Sequence, residues 1–221
     1  MADNVLVFYG SYRSDRVGIR MAIFVVRELR ARGAVAELVD AREVGLPIID
    51  RMYKEYPAGT APKAMGDLAE KIRAADAFVF VIGEYNFGPQ PGLKNLTDHF
   101  LEEWYWRPAA VVSYSPSRLS GARASSAWHP ILSEMGMIVT SSTVAVGPIA
   151  GTLNEEGQPI GERPPDAKGL RPRGRRPGLV DLGGASAAPA TRPTLLGWVA
   201  RLPPSRSTEG PSGRRRAEPR G

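Results

Sequence analysis

The run Ala77-Phe78-Val79-Phe80-Val81-Ile82 constrains this chain more than any other feature. It is unbroken, made of aromatic, β-branched and small apolar residues, and bounded by Asp76 and Gly83. Such a run fits a strand buried on both faces, and that strand needs a covering layer on each side of its sheet. Val5-Leu6-Val7-Phe8-Tyr9, Val35 to Val39, Ala109 to Tyr114 and Met137 to Val146 read as four more strands. Helical patterns separate them. One helix is predicted from Val17 to Arg32, closed by Gly33 just past two arginines. Lys63 to Ala75 sets Ala64, Leu68 and Ile72 on one stripe, and a later helix carries Leu93, Leu96, Phe100 and Trp104 on one face. Ser120 to Met135 reads as a further helix, bent or interrupted at Pro130. Strands alternating with helices predict an α/β fold, one parallel sheet with helices on both faces.

The pattern stops near Gly161. Residues 1–150 balance 16 basic against 16 acidic side chains, whereas residues 151–221 hold 13 against 7 and carry the whole net charge of +6. The same stretch contains 11 Pro and 12 Gly, and its arginines cluster at Arg173-Gly174-Arg175-Arg176 and Arg214-Arg215-Arg216. Only Leu195-Leu196-Gly197-Trp198-Val199 looks fit for burial there. Residues 1–161 are therefore expected to form the folded domain, and residues 162–221 a disordered tail rich in Pro, Gly and Arg. The pI near 9.8 belongs to that tail, so no nucleic-acid partner is expected for the domain. Arg, Pro, Ala and Gly without periodicity is also what an off-frame reading of GC-rich DNA produces, and a frameshift after codon 162 is the second explanation.

Cysteine is absent, which excludes disulfides, thiolate metal sites and cysteine nucleophiles. His99 and His129 are too few for a multi-histidine centre, so no metal is expected. The N-terminus lacks a signal-peptide pattern, and no apolar run approaches the ~18 residues that span a bilayer. A cytoplasmic protein without membrane contact is the expectation.

In an open α/β sheet, ligands sit beyond the carboxyl ends of the strands. Three unusual loops fall there. Gly10-Ser11-Tyr12-Arg13-Ser14-Asp15-Arg16-Val17-Gly18 offers hydroxyls, arginines and small residues at a helix N-terminus. It reads either as a phosphate cradle or as a polar loop in which Ser11 caps the helix. It is neither a Walker A loop nor a G-x-G-x-x-G fingerprint. Gly83 to Asn95 holds Tyr85 and Asn86, which could stack on and hydrogen-bond to a flat heterocycle, or could form an ordinary turn with Tyr85 packed. Lys94 and Asn95 read as helix-surface or capping residues. Ser113 to Arg123 adds more hydroxyls at a third strand end, or is an ordinary loop.

Taken together these loops resemble the NADPH-dependent FMN reductase family, a flavodoxin-like branch that includes quinone and azo-compound reductases. The G-S-x-R opening matches Gly10, Ser11 and Arg13. E-Y-N and L-K-N match Glu84, Tyr85, Asn86, Leu93, Lys94 and Asn95. V-S-Y followed by S-G matches Val112, Ser113, Tyr114, Ser120 and Gly121. The resemblance runs from residue 4 to 150. It implies a doubly wound five-stranded sheet of order 2-1-3-4-5. It also implies an FMN site in which Ser11, Arg13 and the backbone of Arg16, Val17 and Gly18 hold the phosphate. Glu84 belongs to the same flavin-binding set; Tyr85, Asn86 and Phe87 would lie along the ring, with Ser113, Tyr114 and Gly121 on its other side. Departures from the pattern are Gly83 in place of a proline and Ser115-Pro116 in place of Gly-Gly, so flavin affinity and tuning are expected to differ. Asn154-Glu155-Glu156-Gly157 resembles the family's acidic turn, but the tail lacks the amphipathic helix with which the family ends.

The resemblance implies an enzyme that passes hydride from NADPH or NADH through FMN to free flavin, a quinone or a similar small acceptor. The flavin carries the chemistry and no side chain is expected to act as acid or base. A homodimer or homotetramer is implied, and Trp104-Tyr105-Trp106 either joins that interface or packs in the core. The alternatives are a flavodoxin-like electron carrier, usually acidic where this domain is balanced, and an acidic-surface or nucleic-acid binder acting through the tail.

Overall fold

The computed structural model describes residues 2–160. The expectations for the basic tail, its arginine clusters, Leu195 to Val199 and the frameshift lie outside the described residues.

Alternation along the strands builds two cores, one on each face of a single sheet. The elements run β1 (Asn4–Tyr9), α1 (Ile19–Ala31), β2 (Val35–Asp40), α2 (Ala41–Val44), α3 (Lys63–Ala74), β3 (Ala77–Gly83), α4 (Pro91–Asp98), β4 (Pro108–Tyr114), α5 (Ala122–Glu134), β5 (Ile138–Val139) and β6 (Val144–Val146). Every residue of β3 and β4 is buried, as the continuous apolar runs require. Leu6, Phe8, Phe78, Phe80 and Ile82 face α3, α4 and α5, where Met65, Leu68, Ile72, Leu96, Trp128 and Leu132 complete the core. Val5, Val7, Tyr9, Val79, Val81 and Val112 face the other way, against Met21, Phe24, Val25 and Leu29 of α1. Trp104 sits edge-on to Phe78 and Phe8, with centroids 5.1 and 5.3 Å away. Aromatic pairs in this geometry add to the burial energy of their area.

All strand pairs are parallel and ordered β2-β1-β3-β4, with β5 and β6 both pairing β4 at the fifth position. This is the flavodoxin-like 2-1-3-4-5 order, which reverses direction between β1 and β3 and opens a crevice at their carboxyl ends.

Three local readings need correction. The fifth strand is split, because Pro108 and Ala109 pair with Ile138 and Val139 while Val112 to Tyr114 pair with Val144 to Val146. Between the two pieces, Thr140 Oγ1 donates to the Ser142 carbonyl and Ser125 Oγ donates to Thr143 Oγ1 at 3.2 Å. A local bond at Thr140 and a bond from α5 to Thr143 draw the chain off the ladder. Pro130 does not interrupt α5. It removes the donor to the Ser126 carbonyl, and both residues are exposed, so water can serve that carbonyl. The helix bearing Leu93 and Leu96 ends at Asp98; Phe100 and Trp104 reach the same core from a following turn, residues 102–104 forming one 3₁₀ turn. Of the aromatic trio, Trp104 is core, whereas Tyr105 and Trp106 are exposed, Trp106 at 76%.

Candidate functional site

The crevice at the switch point holds a cleft of about 490 Å³. The loop after β1 supplies Ser11, Arg13, Asp15, Arg16, Val17 and Gly18 to its wall. The loop after β3 supplies Gly83, Glu84, Tyr85 and Asn86, and the end of β4 supplies Tyr114, Ser115 and Pro116. Ile149 and Ala150 close the remaining side.

The first loop winds through turns at 14–15 and 17–18 before α1 begins at Ile19, with Gly18 as N-cap and no side chain capping it. Ser11 therefore does not cap the helix. Its hydroxyl is buried and shares a hydrogen bond with the Tyr85 hydroxyl at 3.2 Å, joining the first two loops. Among the described residues, the backbone amides of Arg13, Arg16 and Gly18 donate to no backbone carbonyl. They are free donors beside a helix N-terminus, which is what an anion requires. Arg13 pairs with Asp15 at 2.8 Å on the exposed rim. Its hydrogen bond holds the Asp15 carboxyl below the usual carboxylate range, and Asp15 raises the Arg13 guanidinium in turn. Arg16 is largely buried and pairs with Asp40 at 2.7 Å, with Glu43 at 3.4 Å beyond it.

Tyr114 forms the floor. A Cβ on Gly18 would collide with its ring, and one on Gly83 would lie 2.7 Å from its hydroxyl. Both glycines are needed to let the loops approach this side chain. The Tyr114 hydroxyl receives a bond from Gln90 Nε2 at 2.8 Å and contacts the Tyr9 hydroxyl at 3.4 Å. Burial pushes both phenols up, Tyr114 far above the ordinary tyrosine range; for Tyr9, bonds to Tyr114 and Ser11 pull the other way. These hydroxyls stay neutral.

The second loop is a tight turn. Tyr85 and Gly88 exchange backbone bonds of 2.9 Å in both directions, and the residues between them, Asn86 and Phe87, both have positive φ (47° and 77°). Glu84 has a buried side chain paired with Arg123 of α5.

Nine of the twelve residues singled out for the site line the cleft: Ser11, Arg13, Arg16, Val17, Gly18, Glu84, Tyr85, Asn86 and Tyr114. Three do not. Phe87 points outward, 61% exposed, under the Arg123 guanidinium. Ser113 is fully buried and donates to the Ser120 carbonyl at 2.9 Å. Gly121 turns the chain into α5 at φ 76°. Asn95 is half-buried on α4 and bonds the Pro47 carbonyl and the Ile49 amide, tying α4 to the loop after α2. Asp40 and Ile149 had no sequence signal, being one acid at a strand end and one apolar residue in a Gly/Pro-rich stretch.

Among solved structures, a flavoenzyme NAD(P)H:(acceptor) oxidoreductase of Paracoccus denitrificans superposes with a TM-score of 0.59 at 23% identity, over 72% of this chain and 86% of that one. That likeness shows the fold. Among curated proteins, an NAD(P)H-dependent FMN reductase of Saccharomyces cerevisiae is 28% identical across 66% of this chain and 82% of its own length. A quinone reductase of Pseudomonas putida is 30% identical across 56% of this chain and 66% of its own. Residues 4–151 match the family model described as NADPH-dependent FMN reductase, and the chain belongs to that family.

Proposed function

We propose that this protein is an FMN-dependent NAD(P)H oxidoreductase whose acceptor is free flavin, a quinone or a similar small molecule. The observation that carries the reading is the cleft itself, with free amides and two guanidinium groups at one end and a tyrosine-bearing turn at the other. That polarity suits a ligand with a dianionic head and a flat, hydrogen-bonding body. The cleft volume lies in the range of small-molecule sites, roughly 300–1,000 Å³. Ser11, Arg13, Arg16 and the 16–18 backbone would hold the phosphate, and Tyr85, Asn86 and Tyr114 would face the ring. Bound there, FMN would supply hydride chemistry between nicotinamide and acceptor.

The protein's own part is positional. The helix α1 N-terminus and Arg16 fix the anionic end. Tyr9 and Tyr114, neutral and buried, add no charge to the floor of the cleft. None of these groups needs to exchange a proton with substrate. Assembly as two or four copies and a cytoplasmic location belong to the same proposal. No helix among the described residues is long and apolar enough to cross a membrane.

The deciding experiment is the visible spectrum of the purified protein with identification of the molecule released on denaturation. Near-stoichiometric FMN and NADPH oxidation with a quinone, without a partner protein, are expected. A flavin-loaded protein that does not turn over NADPH alone would favour the electron-carrier reading. A colourless protein that refuses added FMN would defeat both.

A further inference from the structure

Arg123 lies outside the cleft, in the first turn of α5. A cation there faces the positive end of the helix dipole, so helix stability is not its purpose. Its guanidinium pairs with Glu84 and lies over the Phe87 ring, 5.3 Å from the centroid. The Glu84 side chain is 6% exposed, and its second oxygen, Oε2, has no hydrogen-bond partner among the described residues. Arg123 is thus what balances a buried carboxylate, and removal of such a partner is far more disruptive than loss of a surface pair.

Phe87 is the second problem that Arg123 addresses. A two-residue turn with positive φ at both centres suits Asn at the first position and Gly at the second. Asn86 fits, but a phenylalanine at φ 77° is strained. The guanidinium over its ring holds that residue in place. One side chain therefore grips the turn at its base, through Glu84, and at its tip, through Phe87. Between those grips stand Tyr85 and Asn86, which line the cleft.

We propose that Arg123 is a positioning residue that sets the Glu84–Gly88 turn and, through it, the ring end of the ligand site. The proposal rests on the FMN reading above. It distinguishes the two ends of the site. The first loop meets the phosphate and does not touch Arg123, so losing Arg123 should weaken every ligand that shares the ring, with or without phosphate.

The test is titration of the flavin-free protein with FMN and with riboflavin, followed by flavin fluorescence, in wild type, Arg123→Lys, Arg123→Met and the double variant Glu84→Gln/Arg123→Met. Arg123→Met should weaken both flavins by the same factor, about tenfold, leaving their ratio unchanged. Arg123→Lys keeps the charge but loses the planar guanidinium that meets both Glu84 and the Phe87 ring, and should weaken both about threefold. The double variant should bind more tightly than Arg123→Met, because no bare carboxylate is left behind. Both affinities within twofold of wild type in folded Arg123→Met or Arg123→Lys would overturn the proposal. So would a loss confined to FMN, which would place the effect at the phosphate. If Arg123→Met does not fold, Arg123→Lys decides by the same two criteria. A wild-type protein that binds neither flavin overturns the FMN reading and this proposal with it, whereas wild-type binding that is insensitive to Arg123 overturns this proposal alone.

Discussion

The two loops that meet across the cleft are held by opposite means. The Gly10–Gly18 loop is held by charge: Arg13 with Asp15 on the rim, and Arg16 with Asp40 beneath it. Its backbone leaves amides free. The Glu84–Gly88 turn is held by its own backbone, closed by reciprocal hydrogen bonds and stapled from α5. The difference is one of what a ligand can change. An arriving anion can draw Arg13 and Arg16 from their carboxylates without bending the chain, whereas the turn offers a shape that is already fixed. One end of the site is prepared electrostatically and the other sterically. Preorganisation of either kind lowers the ordering that binding must otherwise supply.

The largest effect should come from the place where both loops rest on the same side chain. Gly18→Val drives a side chain into the Tyr114 ring. Overpacking of this kind should destabilise the protein by about 3 kcal/mol and remove measurable FMN binding. Urea unfolding and flavin titration would show it. Combining Gly18→Val with Tyr114→Ala should give less damage than the sum of the singles; strict additivity would break the claim that the two compete for one space.

The floor also predicts an alkaline limit. Tyr9 and Tyr114 both have raised pKa values through burial. Above about pH 10 an unfolded tyrosine loses its proton while the folded one keeps it, so the folded state binds more protons and stability falls as pH rises. Stability should be level with respect to these groups below that point, then drop by at most about 1.4 kcal/mol per pH unit for each tyrosine. Tyr114→Phe should make the slope shallower by up to about 1.4 kcal/mol per pH unit in unfolding curves taken from pH 8.5 to 11 (roughly the window that brackets a free phenol). A flat wild-type profile would mean that the floor is wet and holds neither loop.

How much of this was legible in the sequence follows from the range of the forces involved. The unbroken run in β3 and the alternating helices announced a covered parallel sheet, since burial on both faces leaves no room for polar positions. The three strand-end loops were visible because glycine, hydroxyl and amide residues are costly to place without a purpose. What escaped depends on partners distant in the chain. The pairing of Arg16 with Asp40, 24 residues away, has no local signal. Phe87 was assigned to the ring, but positive φ sends it outward to an arginine on another helix. Trp104 kept helical spacing with Leu96 although the helix had ended, because the core on that face continues past α4.

A smaller effect separates the two ends by chemistry. Asp40→Asn keeps an oxygen for the Arg42 amide, which Asp40 now caps at 3.1 Å, but removes the charge that holds Arg16. The apoprotein should lose about 1–2 kcal/mol, since a largely buried guanidinium is left with a neutral partner. FMN should bind a few-fold more tightly, with Arg16 released toward the phosphate, while riboflavin affinity stays unchanged. Equal changes for both flavins would mean that the charge-held loop and the ring end are not separable.

The smallest effect lies in the bond that joins the two loops. Ser11 and Tyr85 share one hydrogen bond at 3.2 Å, long for a hydroxyl pair and partly buried. Ser11→Ala and Tyr85→Phe should each lower the stability of the apoprotein by about 0.5–1 kcal/mol, with a double-variant cycle returning a coupling near 0.5 kcal/mol. Beyond this bond the loops share only the Tyr114 side chain, against which Gly18 and Gly83 pack, so a larger coupling between Ser11 and Tyr85 has no source in their direct contacts. A coupling above about 1.5 kcal/mol would show that the loops form one cooperative unit, and the contrast between an electrostatic end and a steric end would then have to be given up.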